Sequence, residues 1–226
     1  MKISIICAMS KEINMLLPLL HDAKETTVEG CALHTGRIGR HEVCVMQCGI
    51  GKVNAALACR AMIDAFGPDL VVNSGVAGGT GAAEVLDVVV GSTVAYHDVW
   101  CGPGTTPGQA AGCPEQFEAA EAVMAMRPEL EKKGVKFGLI ASGDVFVDTP
   151  EQVSHILELY PDALGVDMES AALAQACLRA GVSFACIRVI SDTPGRVADN
   201  GAQYESFWET APREGFNLIV SIINSL

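Results

Sequence analysis

Apolar, β-branched runs alternate with helical patterns along the whole 226-residue chain, and that rhythm limits the folds open to it. Ile3–Ala8, Ala32–Gly36, Val43–Cys48, Leu70–Ser74, Val88–Ala95, Val135–Ala141, Ala163–Val166 and Phe184–Ile190 read as strands. Between them Lys11–Leu20, Val53–Phe66, Phe117–Lys133, Pro150–Leu159, Glu169–Ala180 and Tyr204–Ile223 carry helical patterns. Gly67-Pro68, Gly134 and Gly181 punctuate helix ends, where glycine takes the left-handed conformation that closes the last turn. Such alternation calls for a mixed, largely parallel sheet held between helices, an α/β three-layer sandwich. The length suits a single domain over residues 1–226 with a substantial core, and no linker, low-complexity tract or internal repeat divides it. One irregular stretch, Cys101–Pro114, is rich in Gly, Pro and Thr. A loop of that length belongs to a site, an interface or a solvated surface.

Charge narrows the partners. Fifteen Lys+Arg stand against 27 Asp+Glu, a formal net charge of −12 that repels phosphate backbones and argues against nucleic acid. Half the residues are hydrophobic, yet no apolar run reaches the roughly 18 residues of a membrane span. Met1-Lys2 leads straight into Ile3–Ala8 and then the polar Ser10-Lys11-Glu12, which reads as a buried first strand rather than a signal peptide. The nine cysteines are scattered and form no CxxC pair. Neither a metal centre nor a disulfide framework is expected, and reduced thiols suit the cytoplasm.

Carboxylates mark the chemistry. Asp167-Met168-Glu169 follows one apolar strand and Ser191-Asp192 ends another. Residues just past the carboxyl ends of strands in an open α/β sheet face the ligand crevice. One acid alone is explained by a helix N-terminus or a turn. Several converging acids suit a hydroxyl-rich ligand and a cationic transition state. Three glycine-bearing segments share that placement. Cys48-Gly49-Ile50-Gly51-Lys52 is too short for a phosphate loop and lacks the third glycine of a dinucleotide fingerprint. Asn73–Gly79 reads as a turn whose backbone can approach a planar base. Ser142–Val147 places Phe146 where it can stack on a base or pack into the core.

Taken in order, Ala8-Met9 with Glu12, Gly49–Ala55, Asn73–Gly79, Tyr96-His97-Asp98, Gly112-Cys113-Pro114, Ser142–Val147, Asp167-Met168-Glu169 and Ile190-Ser191-Asp192 resemble the 5′-methylthioadenosine/S-adenosylhomocysteine nucleosidases of the nucleoside phosphorylase-I superfamily. The resemblance covers essentially the whole chain. It implies a nucleoside phosphorylase-like fold and hydrolysis of the N-glycosidic bond of an adenine nucleoside by a catalytic water, with no cofactor. In that reading Asp192, oriented by Ser191, protonates the purine, its carboxyl raised by burial and by the charge of Glu169. Glu169 holds ribose hydroxyls and Glu12 activates the water. Met168 and Phe146 pack on ribose and adenine, and the Val147 backbone reads the base edge. Ala8, Met9 and Ile50 shape the water and sugar side, Val76, Ala77, Gly78 and Asp167 complete the pocket, and Phe207 lies over the alkylthio tail. A homodimer is also implied.

Phosphorylases of this superfamily hold phosphate with arginines near the first turn and at the strand entering the glycine turn. Here those places carry Met9–Glu12 and Asn73, with Val76 where a phosphate-binding Ser is expected, so hydrolysis is favoured. Lys11 and Lys52 read as solvated helix charges. The chain departs from the family pattern at Val76, at Asp167 (usually Glu), in Val99–Pro107 and in Thr193–Gln203. Trp100, the only large aromatic between Val99 and Gln116, is expected at a dimer interface. Futalosine-type hydrolysis, purine nucleoside phosphorolysis and a nucleoside-binding module without turnover are the alternatives.

Overall fold

The computed structural model describes the backbone of residues 1–197, 199–210 and 213–226, and the side chains of all of these except 210 and 213–215. Its strands are β1 (Lys2–Cys7), β2 (His21–Val28), β3 (Cys31–Ile38), β4 (His41–Gln47), β5 (Leu70–Gly79), β6 (Val88–Tyr96), β7 (Phe117–Glu118), β8 (Lys136–Ser142), β9 (Ala163–Asp167) and β10 (Ser183–Asp192). The helices are α1 (Ser10–Leu16), α2 (Lys52–Phe66), α3 (Glu121–Met124), α4 (Arg127–Glu131), α5 (Pro150–Leu159), α6 (Ser170–Ala180), α7 (Asn200–Thr210) and α8 (Arg213–Ser225). The expected α/β architecture is present, a mixed sheet flanked by helices.

Strand polarity explains the layers. Along β1, Ile3, Ile5 and Cys7 pack with Ile13 and Leu16 of α1 and with Phe216, Ile219, Ile222 and Ile223 of α8. Ile6 points the other way, into a core shared with Ala58, Cys59 and Met62 of α2 and Leu173 and Cys177 of α6. Side chains of alternate strand residues fill opposite faces. Each fully buried Ile or Leu contributes about 1.5–3 kcal/mol.

The sheet also forks. β5 pairs in parallel with β1 as far as Ile6↔Asn73, and on that same side with β9, antiparallel, at Gly78↔Val166 and Gly79↔Gly165. Its other edge runs parallel to β10 from Leu70 to Gly78. Because β10 continues through β6 and β8 to β9, this half of the sheet curls round on itself. Between Asn73 and Gly78 the diverging β1 and β9 leave one edge of β5 unpaired. The fork opens at the carboxyl ends of β1, β5 and β10, and the site occupies it.

Several sequence expectations change. Asn73–Gly79 is strand rather than turn, since its glycines allow close backbone approach: a Cβ on Gly79 would meet the Ala83 carbonyl at 2.5 Å. The expected helix Phe117–Lys133 is broken into β7, α3 and α4, with Pro128 in the first turn of α4, as an imide that cannot continue a hydrogen-bonded helix requires. Pro18 likewise ends α1 in a short 3₁₀ turn, Leu17–Leu19. The polar, exposed edge strand β2 has no apolar alternation to announce it. The described parts of the expected helix Tyr204–Ile223 fall in α7 and α8, and residues 211 and 212 between them lie outside the described residues. Among the described residues no helix is long and apolar enough to cross a membrane.

Candidate active site

A cavity of roughly 100 Å³, open to the surface, lies in the fork. Ala8 and Met9 reach it from the end of β1, Glu12 from α1, Ile50 from the turn before α2, and Val76, Ala77 and Gly78 from β5. Phe146 and Val147 follow β8, Asp167 ends β9 with Met168 and Glu169 just beyond it, and Ser191 and Asp192 end β10. Its lining, apolar apart from a few convergent carboxylates, is the pattern of a small-molecule site.

Glu12 is buried, with 1% of its surface exposed. Its Oε2 accepts the amides of Ala8 and Met9 at 2.9 Å each, and its Oε1 accepts the amide of Val76 at 3.0 Å. The unpaired edge of β5 supplies that last donor. Burial raises the carboxyl above its usual range, while the nearby Arg188 cation and the three amides pull it back. Gly75 makes the approach sterically possible, since a Cβ there would lie 2.3 Å from Glu12 Oε1 and 2.6 Å from Arg188 Nη1.

Arg188, in the middle of β10, is buried beneath the cavity. Its Nη2 donates to Asn73 Oδ1 at 2.6 Å and Asp167 Oδ2 at 2.5 Å, and lies 3.6 Å from Glu169 Oε2. Its Nη1 donates to the Val76 carbonyl at 3.3 Å. The other oxygen of Asp167, Oδ1, caps α6 by accepting the Ser170 amide at 3.1 Å and hydroxyl at 2.9 Å. Asp167 therefore touches the cavity with a carboxylate already committed on both oxygens. Glu169 keeps one oxygen on the Gly51 amide, 3.0 Å away. Burial raises its carboxyl to about 7, against the opposing pull of Arg188. Nothing in the motifs pointed to Arg188, although a cation inside the apolar run Phe184–Ile190 demands buried partners.

Ser191 donates its hydroxyl to Asp192 Oδ1 at 2.5 Å. Burial raises the Asp192 carboxyl, with the Ser191 hydroxyl opposing it. Glu169 is not among the groups that perturb Asp192, so its charge is not what raises this acid. Desolvation at the end of β10 is sufficient.

A profile of the phosphorylase superfamily matches residues 2–223. The 5′-methylthioadenosine/S-adenosylhomocysteine nucleosidase of Geobacillus sp. (strain WCH70) is 36% identical over 232 residues, covering 100% of this chain and 99% of that protein. The chain belongs to this nucleosidase family. Two solved structures extend the likeness in three dimensions. The S-adenosylhomocysteine nucleosidase of Streptococcus pyogenes, in complex with 5-methylthiotubericidin, superposes with a TM-score of 0.95 at 33% identity, covering 100% of this chain and 97% of that one. The 5′-methylthioadenosine/S-adenosylhomocysteine nucleosidase of Colwellia psychrerythraea, in complex with adenine, gives a TM-score of 0.92 at 37% identity, covering 100% and 96%.

Within this nucleosidase framework two expectations are corrected. Phe207 does not line the cavity: it is buried against Trp208, their ring centroids 5.3 Å apart, in the core beneath α7. Helix phase turns Tyr204, one turn earlier, into the cavity instead, edge-on to Phe146 at 5.8 Å with its hydroxyl 3.2 Å from Met9 Sδ. Lys52 is not a solvated charge. It forms a half-buried ion pair with Asp98, 2.7 Å from Nζ to Oδ2. Lys11 does lie at the surface, 3.2 Å from Glu205. Among the described residues no group of three or more His, Cys, Asp or Glu is placed to hold a metal ion.

Proposed function

We propose that this chain hydrolyses the N-glycosidic bond of 5′-methylthioadenosine and S-adenosylhomocysteine, releasing adenine and the 5-thioribose product. One observation carries the choice of water over phosphate. Arg188, the guanidinium beneath the cavity, already has its two amino nitrogens on Asn73, Asp167 and the Val76 carbonyl, with Glu169 beside it. An arginine so neutralised has no free fork for a phosphate, and Glu12 would repel one.

The acids divide the work as in inverting glycosidases. Asp192, whose carboxyl burial raises, gives a proton, when it carries one, to the purine ring nitrogen as the N-glycosidic bond breaks and its electron pair moves to the base. Ser191 orients that carboxyl. Glu12, held by three amides, accepts a proton from the water that attacks the sugar carbon. Glu169, when ionised, accepts ribose hydroxyls and stabilises the cationic sugar. Met168 packs on the ribose, Phe146 on the adenine face, and the Val147 backbone meets the base edge. Ala8, Met9, Ile50, Val76, Ala77 and Gly78 close the sugar and water side, and Tyr204 takes the tail position.

A second copy of the chain is the proposed partner, and the protein is read as one cytoplasmic domain, in keeping with its nine free thiols. An apolar groove between α2 and α6 is lined by Val53, Ala56, Leu57, Ala172 and Ala176, and Val53 and Leu57 are 69% and 63% exposed. Trp100, 65% exposed, and Leu178 add to the uncovered apolar surface of the same chain. A self-complementary face of this kind fits an isologous dimer.

Adenine release measured on methylthioadenosine, adenosylhomocysteine, adenosine and aminodeoxyfutalosine, with and without phosphate, tests the reading. Phosphate-independent release, fastest on the two thio-substituted nucleosides, is the expected result. Strict phosphate dependence with ribose 1-phosphate formed overturns it, and preference for the futalosine substrate reassigns the tail.

A further inference from the structure

Tyr96-His97-Asp98, Gly51-Lys52 and Gly143-Asp144 lie outside the proposed chemistry, yet the structure joins them in one closed circuit. Asp98 Oδ2 accepts from Lys52 Nζ at 2.7 Å and from the Asp144 amide at 2.8 Å. Asp144 Oδ1 in turn accepts the Lys52 amide at 2.7 Å. Three separate turns, following β6, preceding α2 and following β8, are thus tied by three bonds. The Lys52 and Asp98 side chains are only 23% and 19% exposed, and the ammonium also lies 5.4 Å from the Tyr96 ring centroid. Charge-assisted bonds in such half-buried surroundings hold geometry better than solvated surface pairs.

The glycines of these turns are where the tie is tightest. A Cβ on Gly143 would sit 2.6 Å from the His97 ring and 2.8 Å from Asp98 Cγ. Gly51, at φ +97°, would place a Cβ 3.0 Å from Asp144 Oδ1. Both turns run directly into the cavity wall. Gly51 donates its amide to Glu169, and Gly143-Asp144 leads into Val145, Phe146 and Val147, all of which line the cavity.

We infer that Asp98, Lys52 and Asp144 form a clamp that positions the Phe146–Val147 wall against the Gly51–Glu169 side, setting the width of the adenine slot. The inference rests on the nucleosidase reading above, and these three are positioning residues that touch no substrate. Contact between a wall and a base is the same before and during bond cleavage. Loosening the wall therefore removes uniform binding, which raises KM and leaves kcat.

The test compares the wild type with Asp98→Ala, Lys52→Met, Asp144→Ala and Lys52→Arg. Steady-state kinetics on methylthioadenosine without phosphate are read beside calorimetric adenine affinity. The first three variants should raise KM and weaken adenine binding about 10-fold, with kcat within about 3-fold, as expected for lost uniform binding. Lys52→Arg keeps the cation and should restore most of the loss. Unchanged KM and adenine affinity in Asp98→Ala and Lys52→Met overturn the clamp, as does a fall confined to kcat, the mark of a smaller folded fraction. A wild type that binds adenine but releases none from methylthioadenosine fails the nucleosidase reading instead, and the affinity measurements still decide the clamp.

Discussion

The backbone amide of Val76 donates to Glu12 Oε1 across 3.0 Å. A side-chain hydroxyl at position 76 is therefore not needed to hold this acid, because the forked edge of β5 offers a main-chain donor in its place. With Ala8 and Met9 supplying two more amides, three of the roughly four lone-pair directions of the carboxylate are occupied, leaving one for a water. Glu12→Gln keeps the shape and removes the base. Turnover should fall by about 10²-fold or more while a nucleoside analogue still binds. Asp192→Asn should behave alike by removing the proton source. Near-normal kcat in either variant would remove that residue from the chemistry.

Gly75 sets the contact between Glu12 and Arg188. An alanine there puts a methyl group 2.3 Å from Glu12 Oε1 and 2.6 Å from Arg188 Nη1, so the acid or the guanidinium must move. Gly75→Ala should destabilise the fold by about 1–3 kcal/mol, as overpacking does, and lower kcat at least about 10-fold, the cost of a misplaced base. Denaturant melts with m unchanged, read beside kinetics, check both effects. Wild-type stability and rate together would show that the crowding relaxes without consequence.

Glu169 links the site to stability through pH. Its carboxyl titrates at about 7 in the folded chain, against 4.5 for an unperturbed group. Between those values the folded state holds a proton that the unfolded chain has released. Stability therefore falls as pH rises through this window, and the loss is complete above about pH 7. Glu169→Gln cannot ionise and keeps an oxygen for the Gly51 amide. Its melting temperature should match or trail the wild type near pH 4.5 and gain on it by several degrees toward pH 8. A difference between the two proteins that stays flat across pH 4.5–8 would refute the assignment. Catalysis should run the other way, the wild-type rate falling below about pH 7 as Glu169 is neutralised.

Leu57, exposed on α2 beside the apolar groove, is the probe for self-association. A charge buried there without a partner would oppose docking. Leu57→Glu should shift sedimentation from dimer to monomer at micromolar concentration, with a cooperative unfolding transition that no longer depends on protein concentration. A dimer that persists unchanged places its interface elsewhere.

Glu169 and Asp192 were legible from sequence because strand ends in an α/β sheet converge, whereas Glu12, inside α1, joined them only through the resemblance to the nucleosidases. The helical and strand periods likewise announced the layers, since Ile3, Ile5 and Cys7 against Ile6 already alternate along β1. Polar β2 escaped because an exposed edge strand needs no apolar face, and Phe117–Lys133 misled because a helical pattern outweighed Pro128. What tertiary structure alone decided is which groups meet. Arg188 sits in an ordinary apolar run, and only the pairing of β10 with β5 brings it to Asn73, with Asp167 of β9 beside them. Tyr204 and Phe207 are both aromatic and one turn apart, so local sequence could not choose between them. The packing of α7 buried Phe207 and left Tyr204 facing the cavity. Lys52 and Asp98 stand 46 positions apart, a pairing no local pattern could announce, and their contact exists because α2 and the turn after β6 are folded against one another. Local periodicity specifies elements and faces, whereas contacts between distant residues follow from strand order and helix phase, which the whole core sets together.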